Sequence, residues 1–262
     1  MMEGLEQLPV SDGTLCVLDT GGPGDVVVLL HPGNGSIESW APQLAPLTAA
    51  GFRVVLYSRR GHLGSSPADS ADPGVAAADL RELLEAKQIT SAHVVGAAGG
   101  GIYAVDFALS SPHLVQSLTL VGSILGVTDA DWRERIVGLG LEHLRALPAE
   151  LMELGPSYRA EDEDGVAVWR GIHARAFIGG RLVQQSVATE INWAALAALT
   201  MPVLLVSGGA DLMVPTPMVA YAAARISGAQ HETIPDAGHA IAWERPEEFN
   251  RILVSFLRKE TM

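Results

Sequence analysis

His93-Val94-Val95-Gly96-Ala97-Ala98-Gly99-Gly100-Gly101-Ile102-Tyr103-Ala104 is the stretch whose reading decides the fold. An apolar, β-branched run ends at Gly96, and a triple glycine opens an amphipathic segment through Ala104, Phe107 and Ala108. The spacing predicts a strand, a sharp turn and a helix. Small residues belong at such a turn because the strand and helix backbones approach closely there. The frame of the turn is Gly96-Ala97-Ala98-Gly99-Gly100, and alanine stands at its centre.

Upstream, Leu15 to Leu18 and Val26 to Leu30 read as short strands parted by the Gly21-Gly22-Pro23-Gly24-Asp25 turn. The second strand runs into His31-Pro32-Gly33-Asn34-Gly35-Ser36, a loop whose residues let backbone amides face a cavity. Ile37 to Ala50 is a predicted helix and Phe52 to Tyr57 the next strand. Asp72-Pro73 has the form of an N-cap with proline at the first helical position, and Leu80, Leu83 and Leu84 give that helix an apolar stripe. Leu118 to Val121 is another apolar strand. Alternating strands and helices argue for an α/β architecture with a mostly parallel central sheet flanked by helices.

The alternation stops between about residues 127 and 199. Thr128-Asp129-Ala130-Asp131 has the form of a capping box, followed by Trp132, Ile136 and Leu139, and by Val137, Leu141 and Leu144, at helical spacing. Breaks at Pro148, Gly155-Pro156 and Gly179-Gly180 cut the rest into short helices. A helical block between two strands reads as a cap, so the division is a core of residues 1–126 and 200–262 with a helical cap at 127–199, inserted before the penultimate strand. Pro202 to Ser207 resumes the strand pattern, Glu232 to Ile234 is a last strand, and Phe249, Ile252, Leu253, Phe256 and Leu257 mark a terminal amphipathic helix.

Composition sets the outer limits. The 262 residues suit one domain with an insertion, and 48% are hydrophobic, enough for a sizeable core. The formal net charge of -13 argues against nucleic acid or an anionic membrane as partner, since both are polyanions. The single cysteine, Cys16, excludes an internal disulfide and a multi-cysteine metal site, and no His, Asp and Glu spacing suggests a metal. The first residues lack the basic-then-apolar order of a signal peptide, so a cytoplasmic location is expected. A small-molecule substrate, no cofactor and a possible homodimer complete these expectations.

Five motifs, in order, resemble the α/β-hydrolase-fold superfamily over nearly the whole chain. His31-Pro32-Gly33 resembles its oxyanion loop, and Arg60-Gly61-His62-Leu63-Gly64-Ser65 is similar to its G-H-G-x-S loop. Gly96 to Gly100 resembles the nucleophile elbow G-x-S-x-G. Ser207-Gly208-Gly209-Ala210-Asp211 lies where the family keeps its triad acid, and Asp236-Ala237-Gly238-His239, followed by Glu244-Arg245-Pro246, where it keeps its histidine. The resemblance implies His239 as general base, Asp211 as its orienting carboxylate, and the amides of Gly33 and Gly99 as the oxyanion hole. It also implies Ala98 at the nucleophile position. Pro32 departs from the usual glycine of the oxyanion loop.

Three readings of Ala98 compete. The first is a serine hydrolase whose nucleophile was deliberately replaced by alanine. The second is an enzyme that works without a nucleophile, His239 and Asp211 acting as a general-base dyad in a cofactor-free oxygenase or lyase. The third is a ligand-binding receptor on a hydrolase scaffold, for which an intact Asp211/His239 pair has no obvious use. Under the first, the parent activity is hydrolysis of a medium-sized, largely apolar carboxylic ester or lactone, with C-C bond hydrolysis as the alternative. Asn34, Trp132, Tyr158, Trp169, His173, Trp193 and Met213 are the candidate substrate contacts. His31 reads as a structural hydrogen-bonder; His62, His93 and His113 read as surface or loop residues.

Overall fold

A computed structural model describes residues 4–69, 71–144, 146–180 and 182–259. Its centre is an eight-stranded sheet in the order β1-β2-β4-β3-β5-β6-β7-β8. The strands are β1 (Leu5–Val10), β2 (Gly13–Asp19), β3 (Val26–Leu30), β4 (Arg53–Ser58), β5 (Ala92–Ala97), β6 (Val115–Val121), β7 (Val203–Gly208) and β8 (Gln230–Ile234). β1 and β2 pair antiparallel with each other, β2 pairs antiparallel with β4, and the remaining pairs are parallel.

Both faces of the sheet are covered, and the strands show it residue by residue. In β3, Val26, Val28 and Leu30 belong to one apolar cluster and Val27 and Leu29 to the other; in β4, Val55 and Tyr57 oppose Val54 and Leu56. This two-sided burial produces the unbroken apolar runs of the sequence. Helices α2 (Ala76–Ala86), α3 (Gly99–Ser110) and α10 (Thr216–Ala223) supply one layer, through Leu80, Leu83, Phe107 and Val219. Helices α1 (Ala41–Ala49), α11 (Ile241–Glu244) and α12 (Pro246–Lys259) supply the other, through Leu47, Ile241, Phe249, Leu253 and Phe256.

Short helices fill the interval between β6 and β7: α4 (Ala130–Gly138), α5 (Leu141–Leu144), α6 (Ala149–Glu153), α7 (Pro156–Glu161), α8 (Glu163–Ala174) and α9 (Trp193–Ala197). Pro148 caps α6, Gly155-Pro156 starts α7, and Gly179 turns the chain at φ 69°, so each break falls where the sequence put it.

Two local expectations give way to other bonds, and one strand carries no sequence signal. β1 is absent from the sequence reading because it is an edge strand, mostly exposed and interrupted by Pro9, and lacks an apolar pattern. α2 begins at Ala76 after Val75, while Asp72 accepts from Gly74 N in a turn ahead of it. The Thr128 to Asp131 capping box does not form: Asp129 accepts from Trp193 N at 2.8 Å and Asp131 from Trp193 Nε1 at 3.1 Å, so both carboxylates tie α4 to α9.

Candidate active site

Parallel strands deliver their carboxyl ends to one edge, and the sharp turns that follow them carry the site. At the end of β5 the chain turns into α3 through Ala98, with φ 47° and ψ -117°, a combination that glycine alone adopts freely. Neighbouring contacts hold it there: Ala98 N donates to Val121 O at 2.8 Å, and Ala98 O accepts from Gly101 N at 3.0 Å. The flanking glycines are sterically required. A Cβ on Gly96 would lie 2.6 Å from Gly100 O, and one on Gly100 would lie 2.4 Å from the carbonyl oxygens of both Leu30 and His31.

Asp211 follows β7 and is almost wholly buried; its Oδ1 accepts from the amides of Met213 and Val214 at 2.7 and 2.9 Å. Its Oδ2 lies 2.9 Å from His239 Nδ1, on the loop after β8. Burial acts to raise the Asp211 carboxyl, but the His239 charge and these hydrogen bonds outweigh it and hold the group below its ordinary range. Burial likewise disfavours charge on His239, yet the Asp211 carboxylate, helped by Glu153 and Glu244, pushes the imidazole up to about 9. With Nδ1 committed to Asp211, Nε2 is the nitrogen that exchanges a proton with a ligand.

The oxyanion loop is braced from below. Arg59 N donates to His31 Nε2 at 3.0 Å, so the His31 proton resides on Nδ1, which donates to Pro32 O at 2.8 Å. The Arg59 guanidinium donates to His31 O and Pro32 O, and Gly35 N closes a turn onto Pro32 O. His31 is therefore structural, as its sequence context suggests. Gly33 reaches the elbow: a Cβ on Gly99 would lie 3.2 Å from Gly33 N. As the first residue of α3, Gly99 has an amide with no partner within the helix. The Gly33 and Gly99 backbones thus come together beside position 98.

Ala98 and His239 line one cavity, with Pro32, Trp40, Trp169, Ile172 and Trp243 as apolar wall. Of the seven predicted contacts, Asn34, Trp169 and His173 line it; the other four do not. Trp132 is fully buried against the sheet, donates to Ile124 O and packs edge-on against Trp193. Trp193 and Tyr221 complete that aromatic cluster, away from the cavity. Tyr158 packs with Leu154, Val166 and Trp169 behind the wall, and Met213 packs on the core while its amide serves Asp211. Helical spacing cannot tell a tryptophan that faces the sheet from one that faces a ligand. His62 and His93 are not surface residues: His93 bonds Ser117 Oγ at 2.8 Å and His62 bonds Gly35 O at 2.9 Å, both buried.

Glu153 is the site residue that sequence reasoning missed. It ends α6, is 6% exposed, and lines the same cavity. Its Oε1 accepts from Asn34 Nδ2 at 3.0 Å and lies 3.8 Å from His173 Nε2. Burial works against its charge, but His173, His239 and Asn34 hold the carboxyl below its ordinary range. Its carbonyl accepts from His239 N and Ala240 N, joining the inserted helices to the histidine loop. Glu244 makes a second tie, accepting from Gly155 N and Gly238 N at 2.8 and 2.9 Å. Among the described residues no group of three side chains could hold a metal ion, and no helix is long and apolar enough to cross a membrane.

The sequence profile of the alpha/beta hydrolase family matches residues 27–252, from β3 into α12. The chain belongs to that family. It is 28% identical to the 2-hydroxy-6-oxononadienedioate/2-hydroxy-6-oxononatrienedioate hydrolase of Paraburkholderia xenovorans (strain LB400), over 91% of this chain and 89% of that protein. It is 31% identical to a protein of Variovorax paradoxus (strain S110) named as a carbamate hydrolase, RutD, over 91% and 94% of the two chains. Among solved structures, a hydrolase from Pseudomonas aeruginosa PA01 superposes with a TM-score of 0.80 at 27% identity, covering 97% of this chain and 98% of that one. These likenesses make the chain a hydrolase-type protein.

Proposed function

We propose that this is the pocket of a carboxylic ester or lactone hydrolase with alanine in the place of its serine nucleophile. The observation that carries the reading is the strained backbone of Ala98, beside the Gly33 and Gly99 amides and in one cavity with His239. Nothing in a methyl side chain calls for that conformation; an Oγ held up for attack does. With serine at position 98, the scissile carbonyl oxygen sits against Gly33 and Gly99. A serine at position 98 attacks as His239 takes its proton, and Asp211 stabilises the imidazolium formed. His239 then gives the proton to the leaving alkoxide, and water repeats the sequence to release the acid. α6 to α8 cover the cavity and bury a largely apolar substrate.

As it stands the chain binds substrate and turns it over slowly, because losing the nucleophile of a triad leaves only ~10³–10⁴ over water. Kinetics of the parent and Ala98→Ser on aryl esters, lactones and a vinylogous diketone test the reading. Ester or lactone turnover by Ala98→Ser alone is expected; equal turnover by both chains points to the His239/Asp211 dyad and contradicts it. Turnover of the diketone alone would favour the C-C bond reading, to which the 28% identity with the nonadienedioate hydrolase lends weight.

A further inference from the structure

A second, smaller cavity meets the same turn from Gly33 and Gly99, the residues next to Pro32 and Ala98 of the first cavity. Its lining includes Arg59, Arg60, His62, Tyr103 and Gln185 and, among the described residues, no aspartate or glutamate. The two arginines differ. Arg60 is neutralised by Asp79, which its Nε and Nη2 contact at 2.8 and 3.0 Å. Arg59 is 3% exposed, and among the described residues it has no carboxylate within ion-pair distance. Two of its N–H groups donate to the carbonyls of His31 and Pro32, and its guanidinium lies 4.9 Å over the Tyr103 ring.

A buried cation without a counter-charge is costly unless a ligand supplies one. His62 adds no second positive charge, since burial and the Arg59 charge drive the imidazole down to about 3 and leave it neutral. Gln185 adds a second sign of an expected ligand: its Nε2 is held by Asp79, but its buried Oε1 has no partner among the described residues, and as an acceptor it suits a hydroxyl or water beside an anion. The first cavity has the opposite character, with the buried Glu153 carboxylate in its wall.

We propose that the Arg59 cavity is a carboxylate subsite, and that the substrate is an ester or lactone whose acyl part ends in a carboxylate. The carboxylate pairs with Arg59, the scissile carbonyl lies on Gly33 and Gly99, and the apolar end extends toward Trp169 and Trp243. Glu153 repels the reversed pose. The subsite deepens the ester reading and rests on it for the scissile bond alone.

The test uses the chain with Ala98 in place, so that ligands stay intact. Monomethyl adipate and dimethyl adipate are titrated calorimetrically into the parent, Arg59→Gln and Arg59→Lys. The monoester should bind about ten- to a hundredfold more tightly than the diester, as a charge-assisted bond implies. Because Arg59 also braces the oxyanion loop, the readout is the ratio of the two affinities: Arg59→Gln should bring the monoester-to-diester ratio to about one whatever it does to diester affinity, and Arg59→Lys should restore part of the ratio. A purely structural Arg59, bracing the oxyanion loop, would instead weaken both ligands equally and overturn the proposal, as would equal affinities in the parent. If Arg59→Gln fails to fold, or neither ester binds, adipate is titrated into the parent and followed on the Arg59 Nε–H resonance. A saturating shift sustains the subsite even where the ester reading falls, and an unmoved resonance refutes it.

Discussion

Ala98→Gly should stabilise this protein, although glycine substitutions generally do the reverse. Ala98 is held at φ 47° and ψ -117°, where a Cβ costs about 1–3 kcal/mol. Glycine releases that strain. Against it stand about 0.4–1 kcal/mol for the greater freedom of the unfolded chain, and at most ~0.4 kcal/mol for half a buried methyl, since Ala98 is only partly buried. The balance is near +1 kcal/mol, or a rise in Tm of roughly 2–4 °C for a chain of this size. Guanidinium and thermal unfolding of the two chains, with Ala98→Ser as a control of unchanged backbone preference, measure it. A fall in stability of about 0.5 kcal/mol or more would mean that position 98 is relaxed and that the turn is not a preserved elbow.

Gly100→Ala should cost at least about 1–3 kcal/mol by denaturant unfolding, because its Cβ would lie 2.4 Å from two carbonyl oxygens of the β3 end. In the Ala98→Ser background, acylation needs neutral His239, whose raised pKa of about 9 places the rising limb of the pH–rate profile above the ordinary 6.5. Glu153→Gln removes one of the charges that raise it, so the limb should move to lower pH; an unmoved limb would contradict the electrostatic account. The same shift bears on stability. A histidine whose folded pKa is raised contributes fully below about 6.5 and loses that contribution as pH rises through about 9. The stability difference between the parent and His239→Gln, followed by calorimetry, should therefore narrow over that range. Asp211→Asn should lower kcat of Ala98→Ser by about 10⁴, with the largest loss in acylation.

The sheet and the edge that carries the site were legible because parallel strands buried on both faces leave unbroken apolar runs, as in Val26–Leu30 and Val203–Ser207. The elbow, the acid and the histidine were legible because tight turns restrict which residues fit: Gly96 and Gly100 admit no Cβ. The cavity wall was not. Trp132 and Trp169 have the same helical spacing signal, yet one packs on the sheet and the other on the cavity, since the facing of each inserted helix is set by contacts distant in sequence. Glu153 was hidden for the same reason: its partners Asn34 and His239 lie 119 and 86 residues away, and nothing near it separates a buried carboxylate from the exposed one at Glu163. Arg59 and Arg60 are adjacent and alike in sequence; only the fold gives one a carboxylate and leaves the other without.

On the proposed reading, position 98 is the attack point of a serine hydrolase site that also holds His239, Asp211 and the Gly33 and Gly99 amides. The most direct test of that reading is intact-protein mass spectrometry of the parent, Ala98→Ser and Ala98→Ser/His239→Ala after exposure to an aryl organophosphate, with the adduct mapped by peptide digestion. A single phosphoryl adduct on residue 98 of Ala98→Ser, lost in the double variant and absent from the parent, is the predicted result. No adduct on Ala98→Ser, or a parent chain labelled equally at another residue, would contradict the account.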